Sequence, residues 1–334
     1  MLAKVLGAAA GGAFPQWNCA CPQCKAVRAG TFTGQPRTQA QLAISEDGVS
    51  WTLLNASPDL RIQIEATPEL WPVGQSLDSP IQSVVITAAE ADTVAGLLSL
   101  REFQPLDIYA TRSVLRILRE DNSLFALLDR VPQQAVWKEI APDVPFSIGS
   151  LKFHPFSLPG RFPGFVKPDR KSELDPRDAV LGLLIESGGR RMAYLPGVAK
   201  GEESWRAWLD DCDVLLFDGT FWTDDELSRV RGASTAPGTA AASPTSTASG
   251  AAVAERSTAL ATGPAKLKTA SEMGHLPLSG PCGTLAALRD IKCTRKIFFH
   301  INNTNPILDE SSPAYAEVLA AGWEVARDGM EIRI

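Results

Sequence analysis

Apolar residues recur in this chain as short alternating or continuous runs bounded by turn residues, and between those runs stand segments with helical spacing. Residues 2–9 read as a strand entering a glycine-rich turn. Residues 39–44 and 50–55 flank Glu46-Asp47-Gly48, a hairpin signal with glycine where positive φ is required. Ser57-Pro58-Asp59 starts a helix with proline at its first position, followed by Leu60, Ile62 and Ile64. Residues 83–87 (Ser-Val-Val-Ile-Thr) form a buried strand, followed by a helix through Leu97, Leu98 and Leu100. The grammar then repeats. A strand at 106–110 precedes a helix predicted over 113–128. Strands cluster between Val136 and Tyr194, with Ser187-Gly188-Gly189 as a hairpin turn. A helix at 202–209 leads to a strand at 214–217, a helix at 284–291 leads to a strand at 296–300, and 323–334 predicts a closing hairpin through Asp328-Gly329. Hairpins in both halves, each followed by strand–helix units, predict an α/β fold of two packed sheets with helices outside.

One stretch breaks the pattern. From Gly232 to about Lys266 the chain is mostly Ala, Ser, Thr, Gly and Pro, a composition that buries too little apolar surface to offset ordering entropy. It predicts a disordered insertion at about 232–266 within one domain spanning 1–334, because the helix and strand beyond it make a poor core alone. Net charge of -6 and the absence of a Lys/Arg stripe exclude a nucleic-acid footprint. No run of about 18 apolar residues is present to span a membrane. The N-terminal segment lacks the pattern of a signal peptide, so a cytoplasmic location is expected.

The chemistry starts at Cys19-Ala20-Cys21-Pro22-Gln23-Cys24. Three thiols so close cannot all pair with one another, whereas a C-x-C-x2-C loop points three sulfurs at one centre, and thiolate is a preferred zinc ligand. A sulfur-rich closed site is structural, and the alternative is a reduced thiol cluster on a surface loop. Cys212, Cys282 and Cys293 read as ordinary buried thiols. Only three histidines exist, His154, His275 and His300. Strand ends are where open sheets deliver reactive groups. Asp218 and His300 each follow an apolar strand, and Glu90 and Asp92 follow Val-Val-Ile-Thr; these are metal ligands or an acid–base pair, or in the case of the aspartates helix N-caps. His275 opens a new ordered run and suits a loop residue reaching a pocket, while His154 reads as packed or at the surface. Asn302-Asn303-Thr304-Asn305-Pro306 is a dense amide cluster that fixes a loop or reads a polar ligand.

These pieces in this order resemble the coenzyme PQQ synthesis protein B family. The resemblance is carried by 11–21 (Gly-Gly-Ala-Phe-Pro-Gln-Trp-Asn-Cys-Ala-Cys), 55–61 (Asn-Ala-Ser-Pro-Asp-Leu-Arg), 217–222 (Phe-Asp-Gly-Thr-Phe-Trp), Met273-Gly274-His275 and 300–307 (His-Ile-Asn-Asn-Thr-Asn-Pro-Ile), and covers the chain outside the insertion. It implies a metallo-β-lactamase-type four-layer αββα sandwich and a place in pyrroloquinoline quinone (PQQ) biosynthesis. Two roles are implied: binding PQQ or its precursor and helping to carry it toward the periplasm, or acting as a non-haem-iron oxygenase that hydroxylates the tyrosine-derived ring. PQQ or its precursor and other pathway proteins are the partners implied.

The parent fold binds two metals through H-x-H-x-D-H, where this chain reads Ala88-Ala89-Glu90-Ala91-Asp92-Thr93. A two-metal hydrolase is therefore not expected. The resemblance leaves a structural Zn2+ on Cys19, Cys21 and Cys24, with Asn303 as a candidate fourth ligand. It also leaves a degenerate second site for Fe2+, with Asp92 and His300 as ligands, Glu90 or His275 as a third, and His275 and Asp218 in catalytic roles. An anionic quinone further predicts a pocket lined by Arg37, Arg61 or Lys167.

Overall fold

In the computed structural model, residues 1–74, 78–102, 104–199, 203–235 and 267–334 are described. Most of the low-complexity stretch lies outside them. Its first residues close the helix Glu226–Thr235.

Among the described residues fourteen strands form two sheets. The first contains β1 (Leu2–Gly7), β2 (Gln41–Ser45), β3 (Trp51–Leu54), β4 (Ile81–Val85), β5 (Leu106–Thr111) and β6 (Ala135–Ile140). The second contains β7 (Phe146–Ile148), β8 (Leu151–Ser157), β9 (Leu181–Ser187), β10 (Arg190–Leu195), β11 (Cys212–Asp218), β12 (Cys293–Phe299) and β13 (Trp323–Val325). The last strand, β14 (Glu331–Arg333), returns to the first sheet. Their orders are β14-β1-β2-β3-β4-β5-β6 and β13-β12-β11-β10-β9-β8-β7. In each half an antiparallel meander gives way to parallel strands, β3 to β6 and β10 to β13.

Side-chain alternation explains the layers. On β11, Val214 and Leu216 face the inter-sheet core with Leu42, Ile44 and Val85, while Leu215 and Phe217 face the opposite way onto Trp205, Leu209 and Leu288. On the first sheet Leu53, Val84 and Ile108 pack outward against Leu60, Leu97, Val114 and Ile117. Strands buried on both faces between helices give the four-layer αββα sandwich, and each fully buried Leu, Ile or Phe contributes about 2–3 kcal/mol.

Several predicted elements come out differently. The helix predicted over 113–128 ends at Arg119, and a 3-10 segment, Ser123–Asp129, follows. Asn122 interrupts it by capping the Leu124 amide (3.1 Å). Helices predicted at 202–209 and 284–291 shrink to Glu203–Arg206 and Thr284–Ala287. The closing hairpin is not one: Trp323 pairs with Lys296 in the second sheet, whereas Ile332 pairs with Ala3 in the first. The Asp328 carboxylate fixes this crossover by accepting from the Ala8 amide (3.0 Å), the Thr38 amide (2.7 Å) and the Thr38 hydroxyl (2.7 Å). Among the described residues no helix is long and apolar enough to cross a membrane.

Candidate functional site

The three clustered cysteines do converge. Cys21 caps the helix Pro22–Arg28, its sulfur accepting from the Cys24 amide (3.4 Å), and Cys19 Sγ accepts from the Cys21 amide (3.4 Å). This tight turn brings the three Sγ atoms within 4.8 Å of one another. Asn303 closes the fourth side, its Nδ2 lying 3.2 Å from Cys19 Sγ, 3.8 Å from Cys21 Sγ and 3.4 Å from Cys24 Sγ. Desolvation and its sulfur neighbours push the Cys24 thiol up to about 12. Desolvation also raises Cys19, but hydrogen bonds from Cys21, Cys24 and Asn303 outweigh it and leave that thiol below its ordinary value. A sulfur triad with one amide fits zinc, whose binding would deprotonate all three. The other cysteines split: Cys212 and Cys293 stand opposite each other on β11 and β12, and Cys282, expected to be buried, is exposed.

The second cluster is built from distant segments. Asp218 ends β11 and His300 follows β12, both at the carboxyl ends of parallel strands. His275 enters from the helix Ala270–Met273, which stops at Gly274 in the left-handed conformation (φ 95°) that glycine adopts without penalty. Asp92 sits in the first turn of the helix Ala91–Val94, whose N-cap position belongs to Glu90, so the carboxylate is not spent as a cap. Gly11 makes room for it: a Cβ there would lie 2.7 Å from Asp92 Oδ2.

Asp218, His275 and His300 offer donor atoms within 4.8 Å of one another. His275 Nδ1 lies 2.8 Å from Asp218 Oδ2, and His300 Nε2 lies 3.3 Å from Asp92 Oδ2. The two imidazoles are stacked, centroids 5.6 Å apart. Burial raises the Asp218 carboxyl, but the His275 charge and hydrogen bond more than reverse this and hold it below the carboxylate range. Burial lowers His275, yet the Asp218 charge raises it overall. For Asp92, desolvation is likewise outweighed by the hydrogen bond from His300, and the carboxyl stays low. Glu90 goes the other way, raised by desolvation in the cavity wall and by Asp92.

Thr220 organises the set, though the sequence did not single it out. Its hydroxyl is 2.6 Å from Asp218 Oδ1 and 2.9 Å from His300 Nδ1. An ionised aspartate only accepts, so the hydroxyl donates to Asp218 and accepts from His300 Nδ1–H. That leaves Nε2 facing Asp92, as the donor to its carboxylate when it carries a proton and as the ligand atom where a metal takes the proton's place, the outer-partner arrangement that metal-ligating histidines use. The visible signal was Asp218-Gly219-Thr220 at a strand end. His300 adopts φ 59°, a conformation that costs a residue with a Cβ about 1 kcal/mol or more, held here at the site.

Of the third-ligand candidates, His275 joins the cluster. Glu90 stands exposed on the wall of a cavity of about 580 Å3 that opens over the two histidines. Thr93, in the place of the parent fold's histidine, spends its hydroxyl on the Ala88 and Glu90 carbonyls (both 2.7 Å). The cations expected to line the pocket do not. Arg37 is buried, donating to the Ala326 carbonyl (2.9 Å), Arg61 is exposed on the helix Leu60–Glu65, and Lys167 lines a separate hollow. Arg161, Lys171 and Lys268 line the cavity instead. His154 pairs with Glu186 (3.0 Å), outside both clusters.

The family model described as Beta-lactamase superfamily domain matches residues 50–301. Coenzyme PQQ synthesis protein B of Xanthomonas euvesicatoria pv. vesicatoria is 40% identical over 331 residues, 99% of each chain. The protein of the same name from Methylobacterium sp. is 40% identical over 335 residues, 100% of each. Among solved structures, Zn2+-bound PqqB from Methylobacterium extorquens superposes with TM-score 0.84 at 38% identity, covering 100% of both chains. A diphosphatase of the PhnP family, 16% identical with TM-score 0.62 over 100% of this chain and 97% of its own, shares the fold. Two sheets flanked by helices, a cysteine triad, a two-histidine site at the strand ends and full-length relatedness agree, and this chain belongs to the coenzyme PQQ synthesis protein B family, in the metallo-β-lactamase fold.

Proposed function

We propose that this chain serves PQQ biosynthesis as a mononuclear metal enzyme acting on the tyrosine-derived ring of the precursor, with a structural zinc on Cys19, Cys21 and Cys24. The observation that carries this reading is the convergence of Asp218, His275 and His300 within 4.8 Å, with Asp92 against His300. Two imidazoles and carboxylate form the donor set favoured by divalent non-haem iron. A carrier needs no such set, and burying Asp218 completely is costly without a charge to answer it.

In this reading His275 and His300 of that cluster, with Asp92 beside His300 as the carboxylate, would hold the ion, which would supply oxygen activation. Asp218 is a positioning residue: its Oδ2 orients His275 and its Oδ1, through Thr220, orients His300. The cavity holds the ring over this face, and Glu90 takes up the ring proton. The reaction balances as one ring C–H, O2, two electrons from an external two-electron donor and two protons giving ring C–OH and water. Asn303, whose Nδ2 faces the three sulfurs, would serve as the fourth group at the zinc only with its amide turned so that the oxygen faces them. Thiols must remain reduced to hold zinc, which suits a reducing compartment such as the cytoplasm.

The test is elemental analysis after anaerobic, reducing purification, followed by oxygen uptake with precursor. One zinc plus one iron per chain, and uptake that vanishes in His300→Ala, are expected. Zinc alone after iron reconstitution, with tight PQQ binding and no uptake, would instead favour the carrier reading, for which a cavity of about 580 Å3 is equally roomy.

A further inference from the structure

Three cations face the cavity, and the metal chemistry uses none of them. Arg161 and Lys171 lie on the wall beside Glu90, and Lys268 lies at the approach to the helix that delivers His275. Among the described residues none of the three stands in an ion pair. Neighbouring Arg170, outside the cavity, is by contrast saturated by Glu120, Asp121 and Glu173. Each wall cation is oriented by a neutral partner: Arg161 Nη2 donates to the Glu272 carbonyl and Lys171 Nζ to the Phe162 carbonyl (3.2 Å). A guanidinium has five N–H donors and an ammonium three, so one backbone bond apiece fixes them in place while leaving charge and donors for a ligand. The remaining wall includes the edges of the largely buried Phe162 and Phe221, apolar surface suited to an aromatic ring.

We propose that Arg161, Lys171 and Lys268 are the specificity-determining anion hold of this cavity, binding the carboxylates of an aromatic polycarboxylate whose ring faces His275 and His300. The proposal rests on the reading of the site given above. Arg161 binds one carboxylate through its planar fork, Lys171 holds a second, and Lys268 at the mouth steers the anion inward.

The experiment titrates PQQ itself into the full-length, metal-analysed chain and into Arg161→Gln, Lys171→Gln and Lys268→Gln, with inorganic pyrophosphate as competitor. Arg161→Gln and Lys171→Gln are each expected to weaken PQQ about ten- to hundredfold, the scale of a lost charge-assisted hydrogen bond. Lys268→Gln is expected to weaken it only about two- to fivefold. Metal content stays unchanged in all three variants, and Arg161→Lys, which keeps the charge but not the planar fork, recovers only part of the Arg161→Gln loss. The PQQ trimethyl ester binds weakly to the native chain and is indifferent to Arg161→Gln. PQQ binding by the glutamine variants equal to the native chain's would overturn the assignment while leaving the site's proposed function standing. Displacement of PQQ by pyrophosphate at lower concentration than by PQQ's own carboxylated fragments would overturn the ligand class. Failure of the metal-loaded native chain to bind PQQ or precursor at all would bring down the functional reading and this proposal together.

Discussion

The two candidate metal centres are opposites in construction. The cysteine site is written within six consecutive residues, closed by one helix cap and by a single distant side chain, Asn303. The Asp/His site has no local segment at all: Asp92 and His300 are 208 positions apart and Asp218 and His275 are 57 apart, and only the fold makes them neighbours. The first stands on covalent proximity and the second on two packed sheets. Damage to the core should therefore empty the second site before the first.

Asp218→Ala should have the largest effect. It strands a buried His275 and removes the group that orients His300 through Thr220, so iron and oxygen uptake should be lost and stability should fall by about 3–5 kcal/mol. Elemental analysis should still find zinc, and a protein that lost both ions equally would erase the contrast between the centres. Cys24→Ser comes next. Losing an ion held a thousandfold above its Kd removes about 4 kcal/mol, visible as a lower Tm that added zinc no longer raises.

The pH responses should separate the centres further. Without iron, the contribution of His275 is complete below its unfolded pKa and is lost as pH rises through its raised folded value. Asp218, lowered in the fold, contributes fully above its unfolded pKa and loses that contribution as pH falls through the depressed value. Iron-free protein should thus be most stable in the mildly acidic range between them. Iron affinity should run the other way, rising about tenfold per pH unit while one proton on His275 is displaced. Thermal melts across pH with and without iron check both trends; parallel curves would mean that His275 is not a ligand. Smallest of all, His154→Gln removes only a part-buried pair with Glu186, and a change of about 1 kcal/mol or less with both metals retained is expected.

The sequence was legible where physics is local. The cysteine spacing, the hairpin signals and the strand-end residues Asp218 and His300 are visible because a turn or a period-2 pattern leaves its mark over a few residues. The two-sheet arrangement followed from the repeated hairpin-then-strand–helix order, and the resemblance named its four layers. Thr220 was missed because its role exists only once β11 and β12 lie side by side. Arg37, Arg61 and Lys167 were wrongly placed at the pocket because charge alone does not say which wall a loop supplies. In the basic loop itself, Lys171 faces the cavity and Lys167 a different hollow. Trp323–Val325 and Glu331–Arg333 read as a hairpin because each has strand composition, and nothing local reveals that Asp328 ties the chain across to Thr38.

The loop after His300 points in several directions at once. Asn302 lines the cavity, Asn303 lies on the three sulfurs, Thr304 donates to Glu226, and Asn305 donates to the Gly219 (2.9 Å) and Thr220 (3.3 Å) carbonyls beside Asp218. Gln23, from the cysteine helix, clasps the same loop at the Asn303 (3.3 Å) and Asn305 (3.2 Å) carbonyls. The loop thus gives the two centres an order of assembly. On the proposed reading, zinc on the cysteine triad would tighten the backbone that carries His300, through Asn303 and Gln23. If both ions bind as proposed, iron offered before zinc should be retained poorly.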